Sequence, residues 1–384
     1  VIYLDNAATS CPKPEEVVSA VSRTLTDVCA NPGRGAYDDA LEAGRILLRT
    51  RRVVARLFNI RDESRVVFTL NATHALNLAF KGLLADGGHV VTSSLEHNAV
   101  IRPLAALAAR GVTVTKVPCA ADGTTDPADI LGAVTPHTRL VALTAASNVL
   151  GTLLPIEEVG PALRERGIPF LVDAAQTAGS RSLDVEAAGI DLLALPGHKG
   201  LLGPQGVGVL YVGPDVHLQT LVEGGAGTDS ASVEPPEEMP DRYEAGTQNT
   251  PGIAGLGAGV DVVTARGVAE IGREEQRLAE RFRRALIDTE GVRVYGPPPG
   301  VPAAPVVSIA FEGLPSTEAS FVLDRAFGIA VRSGLHCAPE AHRVAGTLNE
   351  GLVRFSVGHS NTDDHIQAAI EACREVAAKV GARR

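Results

Sequence analysis

Phe170-Leu171-Val172-Asp173-Ala174-Ala175-Gln176 and Leu192-Leu193-Ala194-Leu195-Pro196-Gly197-His198-Lys199-Gly200 decide the architecture. Each is a short apolar run without polar alternation that stops abruptly at polar residues. Runs of this kind suit strands covered on both faces, as in a mostly parallel sheet. Working outward, similar runs occupy 66–70, 90–94, 112–117, 140–145 and 207–212, which makes seven candidate strands. Helical patterns separate them at 38–58, 73–84, 98–110 and 156–166. Strands alternating with helices give an α/β fold. The step from Leu195 to Val207 is too short for a helical crossover, so one strand there is expected to run antiparallel.

Beyond Val212 the pattern changes. Residues 224–250, rich in Gly, Pro and Glu, read as a long loop, and loops of that length in a compact protein are usually functional or interfacial. One long helical pattern follows over 252–288, then Pro297-Pro298-Pro299, then strands and helices fitting a smaller α+β unit. The expected division is a large domain over 14–258 and a small one formed by 1–13 and 259–384. A chain of 384 residues is long enough for two cores.

The net charge of −10 argues against nucleic acid or an anionic membrane as partner, because both select clustered Lys and Arg. The five cysteines, Cys11, Cys29, Cys119, Cys337 and Cys373, are scattered and show neither zinc-site nor disulfide spacing. No metal site is expected, and a reducing, cytoplasmic location is the default. The first residues have neither a basic start nor a long apolar run, and no stretch has the length of a membrane span.

Chemistry collects at the carboxyl ends of strands in open α/β sheets. Here those ends read Asn71-Ala72-Thr73, Glu96-His97, Ser147-Asn148, Asp173 to Gln176, and Gly197-His198-Lys199. Of the five lysines, Lys13, Lys81, Lys116, Lys199 and Lys379, only Lys199 follows a strand end between glycines. Taken alone it reads as a surface-loop lysine, Asp173 as a buried acid with a local partner, and Thr73 as a helix cap. Taken together they fit one ligand: an amine for an aldehyde, a carboxylate for a protonated ring nitrogen, and a helix start for a phosphate. That ligand is pyridoxal 5′-phosphate (PLP).

The order of Tyr3-Leu4-Asp5-Asn6-Ala7-Ala8, Ser147-Asn148-Val149-Leu150-Gly151, Asp173-Ala174-Ala175-Gln176, Gly197-His198-Lys199, Tyr243-Glu244-Ala245-Gly246-Thr247 and Arg332-Ser333-Gly334-Leu335-His336-Cys337-Ala338 resembles the class V aminotransferases of PLP fold type I. Within that family it resembles the SUF-type (group II) cysteine desulfurases and selenocysteine lyases. The resemblance implies that Lys199 binds the cofactor aldehyde and later moves protons. It implies that Asp173 pairs with the pyridine nitrogen, Gln176 bonds the phenolic oxygen and His97 stacks on the ring. Thr73, His74 and His198 would hold the phosphate. Asn148, Arg354 and Arg332 would bind the substrate, with Asn148 also near the cofactor. Gly246 and Thr247 would reach the neighbouring subunit's phosphate in a homodimer with shared sites. One departure stands out. Where relatives carry Ser or Thr as a phosphate donor, this chain has Pro196, which has none.

Cys337 separates the possible reactions. A desulfurase needs an accessible thiol to take the substrate's sulfur as a persulfide; transaminases and thiol-free lyases do not. The other cysteines read as small apolar residues. The expected enzyme is a PLP-dependent cysteine desulfurase that converts L-cysteine to L-alanine and passes sulfur from Cys337 to an acceptor protein. The alternatives are a lyase for L-selenocysteine and a transaminase or lyase in which Cys337 is incidental.

Overall fold

The computed structural model describes residues 1–33, 35–228 and 231–382. The chain opens with strand β1 (Ile2–Tyr3) and helices α1 (Glu15–Arg23) and α2 (Asp38–Leu57). There follow β2 (Val66–Thr69), α3 (Ala72–Leu83), β3 (His89–Ser93), α4 (Asn98–Ala108) and β4 (Thr113–Val117). Next come α5 (Pro127–Gly132), β5 (Thr138–Thr144), α6 (Ile156–Glu165), β6 (Phe170–Asp173), β7 (Leu192–Pro196) and β8 (Gly208–Val212). The sheet order is β2-β8-β7-β6-β5-β3-β4. Every pairing is parallel except those of β8, which runs antiparallel to both β2 and β7. Thus the short connection after Leu195 does reverse direction, and the sheet is seven-stranded and mostly parallel. Strands β6, β7 and β8 are buried along their whole length. Separate apolar clusters cover the two faces, one including Val172, Leu193 and Val209, the other Leu171, Leu192 and Leu210.

The remaining elements are α7 (Thr250–Arg266), α8 (Val268–Ile287), β9 (Val292–Tyr295), β10 (Val306–Phe311) and α9 (Ser316–Phe327). After them come β11 (Ile329–Ala330), β12 (Arg332–Gly334), α10 (Pro339–Val344), β13 (Leu352–Ser356) and α11 (Asp363–Gly381). A second, antiparallel sheet has the order β12-β13-β10-β9, and β1 pairs in parallel with β11. This sheet shares its core with α8, α9 and α11.

The single helical pattern expected over 252–288 is two helices that meet at 80°. Gly267 makes the break with φ of 89°, a conformation glycine reaches without Cβ strain. As a result α7 packs on α1 and α2, while α8 packs on α11 and β9. Among the described residues no single helix is long and apolar enough to cross a membrane.

The polar segment before α7 is pinned from within. Glu244 is buried and bonded bidentately to Arg51 of α2, at 2.6 and 2.5 Å. The same carboxylate accepts the Phe68 N–H of β2, and the Arg51 guanidinium lies 4.4 Å over the Phe68 ring. Removing one partner of such a pair strands a buried charge. Arg51→Ala is expected to cost about 3–5 kcal/mol, seen as a lower urea midpoint. Arg51→Met combined with Glu244→Met is expected to recover most of it.

Candidate active site

Each strand end that the sequence marked lies on the same edge of the large sheet. Asp173 ends β6, buried, and its Oδ1 accepts the Ala175 N–H at 2.9 Å. Burial pushes its carboxyl upward, while that N–H and the nearby Lys199 amine oppose the shift. Lys199 follows β7 in a tight turn closed by Leu202 N–H to the Lys199 carbonyl at 2.8 Å. A side chain at Gly200 would strike the Ala178 carbonyl at 2.3 Å, so glycine lets this turn press against the segment after Asp173. Burial lowers the Lys199 amine to about 8; Asp173 raises it, and Arg354 and Arg332 lower it further. Such an amine is partly neutral near physiological pH, as a nucleophile toward aldehydes must be.

His97 caps α4, its Nδ1 accepting the Ala99 N–H at 3.0 Å. That bond leaves Nε2 as the protonated nitrogen of a neutral ring. Burial, then Lys199 and Arg354, hold its pKa down to about 4. His198 is held to about 4 by burial, then by Lys199 and Lys13, and its Nδ1 is buried without a partner. Thr73 lies exposed in the first turn of α3, where main-chain N–H groups are free. His74 sits beside it, but Asn71 caps its N–H at 2.9 Å and its Nδ1 accepts the Leu70 N–H at 3.3 Å. Gln176 is half-buried, with Nε2 3.4 Å from the Ala7 carbonyl.

From the smaller sheet come Arg354, Arg332 and Cys337. Arg354 is 2% exposed and donates to the Asn148 carbonyl at 3.1 Å and to Asp5 Oδ1 at 2.8 Å. Its Nε is buried without a partner, and burial depresses its pKa. Arg332 is exposed and stands opposite Arg354 in the β12–β13 register. Cys337 is exposed, and the Asn98 N–H donates to its carbonyl at 2.7 Å, tying it to the residue after His97. The Asn148 side chain donates to the neighbouring His336 carbonyl at 2.7 Å.

The groups border two cavities. Cys337, His97, Thr73 and Arg102 line one of about 330 Å³; Lys199, Gln176 and Ser10 line a smaller one of about 40 Å³. Electrostatics couple the groups across them: the Lys199 charge acts on His97, and Arg354 feels Cys337 while acting on Lys199. A larger cavity of about 890 Å³, between α1, α2 and α7, contains none of these residues. Gly246 and Thr247 are exposed on the loop anchored by Glu244, and no bond recorded among the described residues ties either one to the Lys199 turn.

Two functional-site residues, Asp5 and Lys13, were given no role by the sequence reading, and a third, Glu96, was marked there only as part of a strand end. Asp5 pairs with Arg354; its only signal was membership of the Tyr3–Ala8 segment. Lys13, which lies between Pro12 and Pro14, donates to the His198 carbonyl and to Ser10 Oγ, both at 2.8 Å. Glu96 is buried behind Asp173, 2.6 Å from Ser93 Oγ, with both oxygens accepting the Thr144 N–H.

A family model for aminotransferase class-V matches residues 2–369. The chain is 37% identical to a probable cysteine desulfurase of Methanothermobacter thermautotrophicus, over 98% of this chain and 94% of that protein. It is 31% identical to the cysteine desulfurase IscS of Methanosarcina thermophila, over 99% and 92%. Among solved structures, apo cysteine desulfurase from Thermococcus onnurineus superposes with a TM-score of 0.93 at 32% identity, covering 99% of this chain and 95% of that one. Cysteine desulfurase CsdA from Escherichia coli, in an S-sulfonic acid form, gives 0.88 at 27% identity with the same coverage.

The Glu96 carboxyl carries a pH signature. Burial raises it to about 8, with Asp173 adding to the rise against the Ser93 and Thr144 bonds. A folded-state pKa above the unfolded value means stability falls as pH climbs from about 4.5 to about 8. Glu96→Gln, which does not titrate, is expected to match wild type near pH 5. At pH 8 it is expected to be more stable by about 2–4 kcal/mol, measured as urea midpoints at both values.

Proposed function

We propose that this chain, which belongs to the aminotransferase class-V family, is a cysteine desulfurase that takes sulfur from L-cysteine onto Cys337 and releases L-alanine. The class V aminotransferases and the cysteine desulfurases are PLP enzymes in general. The donor set here fits that cofactor: a partly neutral buried amine, a buried carboxylate close to it, and a buried imidazole nitrogen lacking a partner. When bound, PLP supplies an aldehyde that condenses with amines and a protonated ring that withdraws electrons from the substrate Cα.

Lys199 would hold the aldehyde and Asp173 the ring nitrogen. His97 would cover the ring, and Gln176 would donate to the phenolic oxygen. The phosphate would lie at the α3 start, held by Thr73, His74 and His198; this site manages without the donor that Pro196 lacks. Arg354, with Asn148 beside it and Arg332 opposite, would bind the substrate carboxylate, for which its unpartnered Nε is a ready donor. Lys199 Nζ would take the substrate Cα proton. Cys337 Sγ attacks the substrate sulfur; an S–S bond forms as the Cβ–S bond breaks, and the electron pair stays with the carbon skeleton. Protonation at Cβ and return of the Cα proton from Lys199 Nζ would give alanine. The outer sulfur then passes to the thiolate of an acceptor protein, whose access the exposure of Cys337 favours. The same groups would accept L-selenocysteine; L-cysteine is assigned because the relatives are named for it.

The exposed Gly246 and Thr247, on a loop fixed by Glu244, suit contact with the phosphate of a second copy, so the enzyme is read as a homodimer. Five free cysteines suit a reducing, cytoplasmic setting, and the charge of −10 leaves nucleic acid and anionic membranes outside the proposed partners.

The observation that carries the proposal is an exposed thiol in a cavity it shares with His97, the histidine on which the buried Lys199 charge acts. Cys337→Ala is expected to keep the absorbance of bound cofactor and to lose about 100-fold or more in alanine release from cysteine. Lys199→Ala is expected to lose both the covalent cofactor band and turnover. A Cys337→Ala enzyme with wild-type alanine release would identify a transaminase or thiol-free lyase instead.

A further inference from the structure

His336 and Cys337 both adopt left-handed backbone, with φ of 51° and 57°. Two such residues in succession, neither a glycine, persist only where their surroundings over-determine them. The surroundings here are unusually complete. The His336 carbonyl accepts from Asn148 at 2.7 Å, and the Cys337 carbonyl accepts from the Asn98 N–H at 2.7 Å. On the other side, His336 stacks on His342, the ring centroids 5.6 Å apart and the planes 14° from parallel. Both rings are buried.

The contact between the two rings selects one arrangement of protons. His336 Nε2 lies 3.2 Å from the Arg332 carbonyl, which only accepts, so Nε2 carries the hydrogen. Burial, reinforced by Arg354, holds His336 at about 3, so the ring is neutral and its Nδ1 must accept. The group facing Nδ1 at 3.4 Å is His342 Nε2, which must donate. His342 is likewise neutral, held to about 4 by burial against a main-chain bond at Thr347, and with Nε2 donating its Nδ1 is left to accept from the Thr347 hydroxyl, 2.8 Å away. Thr347, His342 and His336 therefore form a directed chain that ends on the main chain of β12. Neither nitrogen of His336 is available to take a proton from Cys337.

We propose that His342 is a positioning residue for the reaction: by fixing the tautomer and plane of His336, it holds the following residue, Cys337, in the left-handed conformation that lodges the thiol in the cavity of His97 and Thr73. This rests on reading Cys337 as the sulfur-accepting thiol. Its test separates the thiol step from the lysine step in the cofactor-loaded enzyme. Exchange of the cysteine Cα proton into D2O reports Lys199 and carboxylate binding; single-turnover persulfide formation reports Cys337. His342→Leu is expected to slow persulfide formation about tenfold or more while Cα exchange and the KM for cysteine stay within about twofold. His342→Gln places an amide N–H where imidazole Nε2 was and is expected to recover most of the loss. Thr347→Val, a milder change, is expected to fall between them. Selective 15N labelling of histidine is expected to show His336 and His342 as neutral Nε2–H tautomers at pH 7, with or without cofactor. Unchanged persulfide formation in His342→Leu, equal losses in both steps, no rescue by Gln, or an Nδ1–H tautomer for either ring would overturn the inference. Normal alanine release by Cys337→Ala would overturn the functional reading instead, while leaving the tautomer measurement to decide the histidine chain.

Discussion

One carbonyl oxygen, that of His198, gathers four donors from the first residues of the chain. Ser10 N–H reaches it at 3.0 Å, Ser10 Oγ and Thr9 Oγ1 at 3.1 Å, and Lys13 Nζ at 2.8 Å. The peptide so gripped is the one immediately before Lys199, and its grip fixes the turn that carries the amine. A few residues earlier the same segment reaches the smaller sheet: β1 pairs with β11 beside it, Asp5 bridges to Ser356 of β13, and Asp5 holds Arg354 at 2.8 Å. A stretch of 13 residues thus sets the Lys199 turn and the buried Arg354 in one frame. The two sheets have separate cores, and this strap adds to the main-chain links between them, among them Asn98 N–H to the Cys337 carbonyl and Ala304 N–H to the Gly151 carbonyl.

What the sequence made legible follows from the range of the forces involved. Strands β5 to β8 were readable because burial on both faces writes itself into consecutive residues. Asp173 and Lys199 were readable because a charged group after an unbroken apolar run has few bland explanations. The reversal at β8 followed from chain length alone. Gly267 was not legible as a corner, since the helical periodicity continues on both sides and only its positive φ breaks it. Helix α1 follows two closely spaced prolines and ends after nine residues, and α5 has only six, so neither repeats a pattern long enough to stand out.

The pairings across the chain were hidden for a different reason. Asp5 and Arg354 lie 349 residues apart, and nothing local in either segment names the other. The same is true of Arg51 with Glu244, which turns the acidic residue of a motif-like stretch into an anchor for the loop rather than a reactive group. His342 was passed over because a histidine on a short helix reads as a surface residue; it is fully buried only because Thr347 and His336 close on it.

The distribution of pKa values assigns proton transfer by elimination. His97, His198, His336 and His342 are held at about 4, 4, 3 and 4, so each is neutral at physiological pH and none gains a proton readily. Glu96 stands at about 8, but its oxygens are engaged by Ser93 and the Thr144 N–H behind Asp173. Lys13, also near 8, is spent on Ser10 and the His198 carbonyl. Lys199 and Glu275, which line the same small cavity, each combine a value near 8 with a side chain that no hydrogen bond among the described residues commits, and of the two only Lys199 is an amine able to hold an aldehyde. A protein with a charge of −10 has therefore assembled a locally cationic site from Lys199, Lys13, Arg332 and Arg354, tempered by Asp5 and Asp173. Burial makes the Lys199 amine shed its proton more readily, and Arg354 and Arg332 add to that against Asp173, its strongest charged neighbour.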